Sequence, residues 1–161
     1  MKHFEIVTGE KTEVLNRKAA PVVLPFPTET KELLDEMVVI MRRAEGVGLA
    51  APQIGISERI CVVEVDGVVG KYINPEITRR SQDKILFEEG CLSLPGQFFP
   101  IERHEEITVK YINEKGLPKR VRADGLLANA SDDVAHHAHV DVGLEQRRAD
   151  LFQHLVDIGL G

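Results

Sequence analysis

The feature that most restricts the fold is a change in hydrophobic period within the first half of the chain. From Thr28 to Ala44, apolar residues recur every three or four positions between charged ones, as in an amphipathic helix. The period then becomes two, first in Ile60–Val65 and later in Glu106–Ile112 and Lys119–Ala123. The turn signal Asp66-Gly67 and other short connections leave no room for the crossovers that parallel strands need. We therefore predict an α+β fold in which antiparallel sheets pack around helices.

The limits of several elements are also marked in the sequence. Thr28 or Thr30 is placed to cap the start of the helix, and Gly46 can supply the left-handed residue that ends it. After Asp124-Gly125 the apolar residues return to helical spacing, which predicts a second helix. Further strands are predicted at Val68–Ile73 and Ile85–Phe87.

Composition indicates one soluble domain over residues 1–161. The apolar fraction is 43%, no repeat is present, and the proline-rich segment Pro21–Pro27 is too short to divide the chain. A net charge of -6 argues against a broad basic face for nucleic acid and favours a small or peptide substrate. No membrane span is expected, and two cysteines without a leader peptide predict separate thiols in the cytoplasm.

The segment Gly46–Gly55 places small residues and a single amide where the helix meets the sheet. Glycine allows close backbone approach, here at Gly48. The Gln53 amide can direct an N–H donor into a cleft. The same residues also suit a helix end followed by an ordinary loop, so the composition of the segment leaves both interpretations open.

The two cysteines have different surroundings. Cys61 lies in the middle of an apolar strand with alternating pattern, and we predict a buried structural thiol there. Cys91 follows a glycine directly after a strand candidate and lies among Gly, Ser and Pro, where a thiolate is not crowded. For Cys91 we therefore predict a metal ligand or a nucleophile.

Two motifs together identify a family. The pattern Gly-x-Gly-Leu-Ala-Ala-x-Gln occupies residues 46–53, and Glu-Gly-Cys-Leu-Ser occupies residues 89–93. Through them the chain resembles peptide deformylases, and the resemblance is clear over residues 1–128. It implies a deformylase-like fold and removal of the formyl group from the N-terminal formylmethionine of new polypeptides, with the ribosome as a further candidate partner.

The resemblance also implies a set of functional residues. The family holds a divalent metal by one Cys and two His, with Fe²⁺ favoured here and Zn²⁺ or another ion as alternatives. By motif position Cys91 would be a metal ligand, and Gly48 would lie beside the substrate backbone. The side chain of Gln53 and the backbone N–H of Leu92 would face the oxyanion that forms during hydrolysis.

The third family motif, His-Glu-x-x-His, is absent from this sequence. In an ungapped continuation from Gly125–Ala128, Asp133 stands at the first histidine, Val134 at the glutamate and His137 at the second histidine. Asp133 and His137 are still four residues apart, so a metal site of Cys91, Asp133 and His137 is geometrically possible. Valine cannot transfer a proton, so the general base of the family is missing.

Residues 129–161 show no resemblance to the family, and several explanations stay open. In one explanation, the chain is a homologue that binds formylmethionyl peptides without turnover. In a second, its sequence carries a reading-frame change near Ala128. In a third, the chain is an active enzyme that takes its base from Glu145 or Asp132. A different class is a thiol hydrolase with Cys91 as nucleophile and His137 as base.

Overall fold

The computed structural model describes residues 4–8, 13–15, 17–65, 67–91 and 94–124. Within these ranges lie one α-helix, two 3₁₀ helices and seven strands. The helices are α1 (Thr28–Arg43) and the 3₁₀ helices Glu13–Leu15 and Ala51–Ile54. The strands are β1 (Gly48–Ala50), β2 (Ile60–Val65), β3 (Val68–Arg80), β4 (Lys84–Cys91), β5 (Leu94–His104), β6 (Glu106–Ile112) and β7 (Pro118–Asp124).

The strands form two antiparallel sheets. The large sheet has the order β1-β2-β3-β6-β7, and β4 pairs with β5 in a separate two-stranded hairpin. Short turns join β2 to β3 and β6 to β7. Gly67 in the first of these turns has φ 76°, a left-handed conformation that glycine adopts without strain. The predicted α+β class is confirmed.

Both faces of strand β2 are buried. On one face, Ile60 and Val62 join Ile73 of β3 and the apolar side chains of α1 in the main core. On the other face, Cys61 and Val63 belong to a second buried cluster. Successive residues of a strand point to opposite faces, so a strand buried on both sides has a nearly continuous apolar run. This burial explains the apolar sequence of β2.

The start of α1 differs from its prediction. The N-cap is Pro27, with φ -72° and an extended ψ, and no side chain caps the first turn. Thr30 is buried inside the helix, and its N–H donates to the carbonyl of Pro27 at 3.1 Å. The predicted threonine caps are wrong because Pro27 holds the extended cap position, so helical geometry already begins at Thr28.

The end of α1 is closed by two backbone hydrogen bonds. Glu45 N–H donates to the carbonyl of Arg42, and Gly46 N–H donates to that of Met41, each at 3.0 Å. This pair of bonds needs one left-handed residue between helix and exit, and Glu45 provides it with φ 55°. The prediction that Gly46 supplies this conformation is therefore wrong by one position.

We expect Glu45→Gly to raise the free energy of unfolding by about 1 kcal/mol, because a left-handed conformation costs a non-glycine residue about 1–2 kcal/mol. Urea unfolding followed by circular dichroism measures the effect. The matched control is Glu32→Gly in the interior of α1, where glycine should destabilise by about 1 kcal/mol. A midpoint for Glu45→Gly at or below that of the wild type would contradict the prediction.

Strand β3 continues beyond its predicted end at Ile73. Asn74 has φ 51° and lies at a register shift between Ile73 and Glu76, which marks a β-bulge. The Asn74 side chain accepts the N–H of Val22 and donates to the carbonyl of Val22, both at 2.8 Å. These two bonds tie the N-terminal segment to the sheet and stabilise the bulge, so the strand resumes after it.

Two strands were not predicted. β1 has three residues, too few to show a period, and β5 contains Pro95, Gly96 and Pro100, which are typical of loops. Prolines are compatible with β5 because each strand of a two-stranded sheet keeps an unpaired edge. The second predicted helix lies outside the described residues. Within the described residues, no helix is long and apolar enough to cross a membrane.

Candidate active site

The segment Gly46–Gly55 folds as a short strand followed by a single 3₁₀ helix. In β1, Gly48 is opposite Val63 and Ala50 is opposite Cys61. Pro52 occupies an early position of the 3₁₀ helix, where its missing N–H costs nothing, and Gly55 with φ 83° ends it. The interpretation of this segment as an ordinary loop is therefore wrong, and the fold places Gln53 in the 3₁₀ helix that directly follows β1.

Gln53 is fully buried, and its side-chain amide is oriented by the backbone. Its Oε1 accepts the N–H of Ala50 at 2.9 Å, and its backbone carbonyl accepts the N–H of Val7 at 2.8 Å. The Ala50 bond engages the acceptor end of the amide, so Nε2 is its donor end. Because a buried amide is costly unless it is bonded, these contacts hold the side chain in place without a ligand.

Strand β1 lies at the edge of the large sheet, and in the described part of the chain no strand lies on its other side. The carbonyl of Val47 accepts the N–H of Glu64 in the neighbouring strand, whereas the N–H of Ala50 turns away from β2 towards Gln53. Antiparallel residues alternate in this respect, so Gly48 also directs its N–H and C=O away from β2. An extended chain can pair with this edge.

Cys91 ends β4 at the tip of the two-stranded hairpin, where its backbone is paired with Leu94 after a register shift. Leu92, Asp133 and His137 lie outside the described residues. Among the side chains that are described, no three His, Cys, Asp or Glu groups lie together as a metal site. The set of Cys91, Asp133 and His137, and the role of the Leu92 N–H, therefore stay predictions.

Cys61 has the structural role predicted for it. Its side chain is 3% exposed and packs in the buried cluster on the face of the sheet opposite α1. Burial raises the pKa of the Cys61 thiol strongly, and the positive charge of Arg59 lowers it by less. Cys61 is therefore a neutral thiol at physiological pH, unsuited to act as a nucleophile or a metal ligand.

The edge strand and the buried amide can be compared with known proteins. A family model described as Polypeptide deformylase matches residues 4–133. The chain belongs to the polypeptide deformylase family. The peptide deformylase of Halothermothrix orenii is 46% identical over 126 residues, which are 77% of this chain and 80% of that protein.

Solved structures of deformylases have the same fold. The crystal structure of peptide deformylase from Thermotoga maritima aligns with a TM-score of 0.81 and 36% identity, over 86% of this chain and 92% of that one. A class I type b peptide deformylase from Acinetobacter baumannii with Met-Ala-Ser bound aligns with a TM-score of 0.79 and 28% identity, over 86% and 95%. The resemblance stated from the two motifs is confirmed.

These comparisons support deformylase function for this chain over the non-catalytic alternative. The polypeptide deformylases are metal-dependent hydrolases of protein biosynthesis. The family match continues past Ala128 to Asp133 and ends one residue before Val134. The position of the family's catalytic glutamate therefore lies just beyond the matched part of the chain.

Sequence reasoning missed one positioning group, the backbone N–H of Ala50. Residue type carries no signal for it, because every residue except proline has an N–H. The available signal was the spacing of Pro52 and Gly55 around Gln53, which is typical of a single tight helical turn. Such a turn brings Gln53 back to the residue three positions before it.

Proposed function

We propose that this chain removes the formyl group from the N-terminal formylmethionine of new polypeptides. The observation that carries the proposal is the buried Gln53 amide directly beside the open edge of β1. In this mechanism Nε2 of Gln53 donates to the formyl oxygen and stabilises the negative charge that develops there, together with the N–H of Leu92. A preorganised donor of this kind is effective because it needs no reorganisation during the reaction.

The open edge of β1 holds the substrate as an added strand. Gly48 directs its N–H and C=O towards that edge, so its backbone can bond to the main chain of an extended peptide in any sequence context. Without a side chain, Gly48 also lets the peptide approach closely. The Acinetobacter baumannii relative binds Met-Ala-Ser, a peptide that begins with methionine, which supports a methionyl peptide as the ligand here.

Cys91, Asp133 and His137 are the proposed ligands of a divalent metal. A thiolate, a carboxylate and an imidazole are donors that Fe²⁺ and Zn²⁺ both accept, so the chemistry of this set fits the metal-dependent family. We propose Fe²⁺ as the resident ion. When bound, the metal supplies a Lewis acid that lowers the pKa of water towards neutrality. Cys91, as a ligand, lies at the end of a paired strand rather than in a long loop.

The proposed location is the cytoplasm, where ribosomes release formylated chains. The substrate is then the extended N-terminal segment of a polypeptide, which suits recognition through main-chain bonds at β1. The ribosome is the proposed partner that brings this substrate to the enzyme.

The test combines bound metal per chain with formate release from a formylmethionyl peptide. We expect Cys91→Ala to lose the metal and, with it, turnover, because two remaining ligands hold a divalent ion poorly. The matched control is Cys61→Ala, which removes a buried thiol elsewhere and should keep the metal. Turnover that survives in Cys91→Ala would contradict the proposal. Turnover of metal-free protein that alkylation of Cys91 abolishes would instead establish the thiol hydrolase.

A further inference from the structure

A cleft lined by arginine and threonine lies on the large sheet beyond helix α1. The helix packs mainly on β1 and β2. Ile73 of β3 is paired with Ile112 of β6, and both belong to the core beneath α1. Residues an even number apart in a strand share a face, so Thr108, four residues before Ile112, lies on the face of the sheet that α1 packs against. There a cavity of about 550 Å³, which we call the arginine cleft, is lined by Thr78, Arg79, Thr108, Arg120 and Arg122.

Strand register brings the three arginines onto one face. Arg79 is opposite Thr108, and Thr108 is opposite Arg122, so the three residues form one row across β3, β6 and β7. Arg120 is two residues from Arg122 and shares its face. Neighbouring strands lie about 4.8 Å apart, which separates the backbones of Arg79 and Arg122 by about 10 Å.

A β-bulge directs Arg79 into the cleft. The register changes from Ile77 opposite Val109 to Arg79 opposite Thr108, so Thr78 is an extra residue in β3. Its hydroxyl donates to the carbonyl of Thr108 at 3.2 Å. Without the bulge Arg79 would share the face of Ile77, which is buried on the opposite side. Bulges commonly re-aim a side chain at a functional site.

The cleft has an excess of positive charge in a chain whose net charge is -6. Arg122 is paired with Glu106, and Glu76 is paired with a lysine of β6 at 2.8 Å. In the part of the chain that the structure describes, no carboxylate is paired with Arg79 or Arg120, and both are exposed. Within that part, two guanidinium groups therefore face solvent with their charge uncompensated by neighbouring carboxylates.

We infer that the arginine cleft binds phosphate groups of an RNA backbone. Guanidinium groups bind phosphate oxygens in a bidentate manner, and threonine hydroxyls bond to the same oxygens. Among the lining residues that the structure describes, none is an aromatic side chain on which a base could stack, so we expect contacts to the RNA backbone that are independent of sequence. The row of residues across β3, β6 and β7 is long enough to contact more than one phosphate. The choice of RNA rests on the proposed function, which places the chain at ribosomes.

Fluorescence anisotropy with a short labelled RNA duplex tests this inference on the full chain. Arg79→Gln/Arg120→Gln should weaken binding roughly tenfold for each arginine, the value of a charge-assisted hydrogen bond. The slope of log K against log salt should fall by about 0.9 for each phosphate that the variant no longer neutralises. The control Lys31→Gln/Lys115→Gln removes the same charge from exposed sites outside the cleft and should leave Kd and slope nearly unchanged.

Each other outcome has a defined meaning. No binding by the wild type, or an equal weakening in the lysine control, overturns the inference. An acidic peptide that binds as tightly as RNA overturns the assignment to phosphate, and inorganic phosphate that binds as tightly at equal phosphate concentration overturns the assignment to RNA. Formate release from a free formylmethionyl peptide should be the same in all variants. This assay therefore tests the proposed deformylase function independently of RNA binding.

Discussion

We expect Gln53→Glu to lower kcat for formate release by about a hundredfold to a thousandfold, the usual cost of losing one oxyanion donor. Glutamate keeps an oxygen that can accept the N–H of Ala50, so the turn that positions residue 53 is retained. It replaces the Nε2 donor with a second oxygen. Because negative charge develops on the formyl oxygen only during the reaction, KM should change far less than kcat.

The pH dependence of this variant separates a donor role from a structural one. Residue 53 is buried, and burial raises the pKa of a carboxyl group because the charged form is poorly solvated. Below that raised pKa the carboxyl group is protonated and regains one O–H donor. The kcat of Gln53→Glu relative to wild type should therefore recover as pH falls. A constant ratio across pH would show that residue 53 does not donate to the transition state.

Gln53→Met is the companion variant, because it removes both ends of the amide at similar volume. It leaves the buried N–H of Ala50 without its acceptor, which costs about 1–3 kcal/mol of unfolding free energy. Its kcat should stay low at every pH. Thermal unfolding of both variants shows which part of the decrease in activity is a decrease in folded protein at the assay temperature.

Elements with a long periodic pattern could be predicted from the sequence. The observed bounds of β6 are those predicted, and α1 ends one residue before its predicted limit at Ala44. β7 is longer than Lys119–Ala123 by one residue at each end. In α1 and β6 a single buried face repeats over two or more periods, so tertiary packing and local pattern agree.

The local hydrophobic pattern does not determine which backbone groups pair with each other. The features that were not predicted, at Glu45 and Arg79, depend on that pairing. The left-handed conformation of Glu45 follows from which carbonyls close the helix, and the face of Arg79 follows from the extra residue Thr78. Both are set by hydrogen bonds between backbone groups rather than by residue type. A one-residue shift in a strand moves a side chain to the other face of the sheet, and no property of the residue itself indicates that shift.

The residues of the candidate site also differ in how far a local sequence pattern can predict them. The motif at residues 46–53 predicts roles for Gly48 and Gln53 through resemblance, and these roles stay predictions. The structure shows that Gly48 lies on an edge strand and that the Gln53 amide accepts the N–H of Ala50. Cys91, with Asp133 and His137, remains a prediction from motif position. Ligands from separate elements meet only in the folded chain, so spacing along the sequence cannot establish them.

The missing glutamate of the third motif leads to the prediction with the largest expected gain. We expect Val134→Glu to raise kcat for formate release by about a hundredfold to ten-thousandfold, because a positioned group for proton transfer contributes that much to rate. The bound metal per chain should stay the same, since this position supplies no ligand in the family motif. The measurement is formate release across pH, where the new carboxylate should add an acid limb to the profile.

Asp133→His and Val140→Glu separate the two roles of this segment. Asp133→His restores a nitrogen ligand and should raise metal retention against a chelator without supplying a base. Val140→Glu adds the same charge as Val134→Glu at a position outside the motif and should leave kcat unchanged. An equal gain from Val140→Glu would mean that added charge, not position, raises the rate.

If Val134→Glu and Asp133→His both have no effect, the ungapped placement of the motif is wrong, and the residues after Ala128 do not continue the family's helix. A gain in kcat from Val134→Glu alone would instead mean that the helix and the metal ligands are in place and that only the proton-transfer group is missing. The effect of one valine-to-glutamate change therefore decides between a deformylase that lacks its base and a chain whose last segment has a different origin.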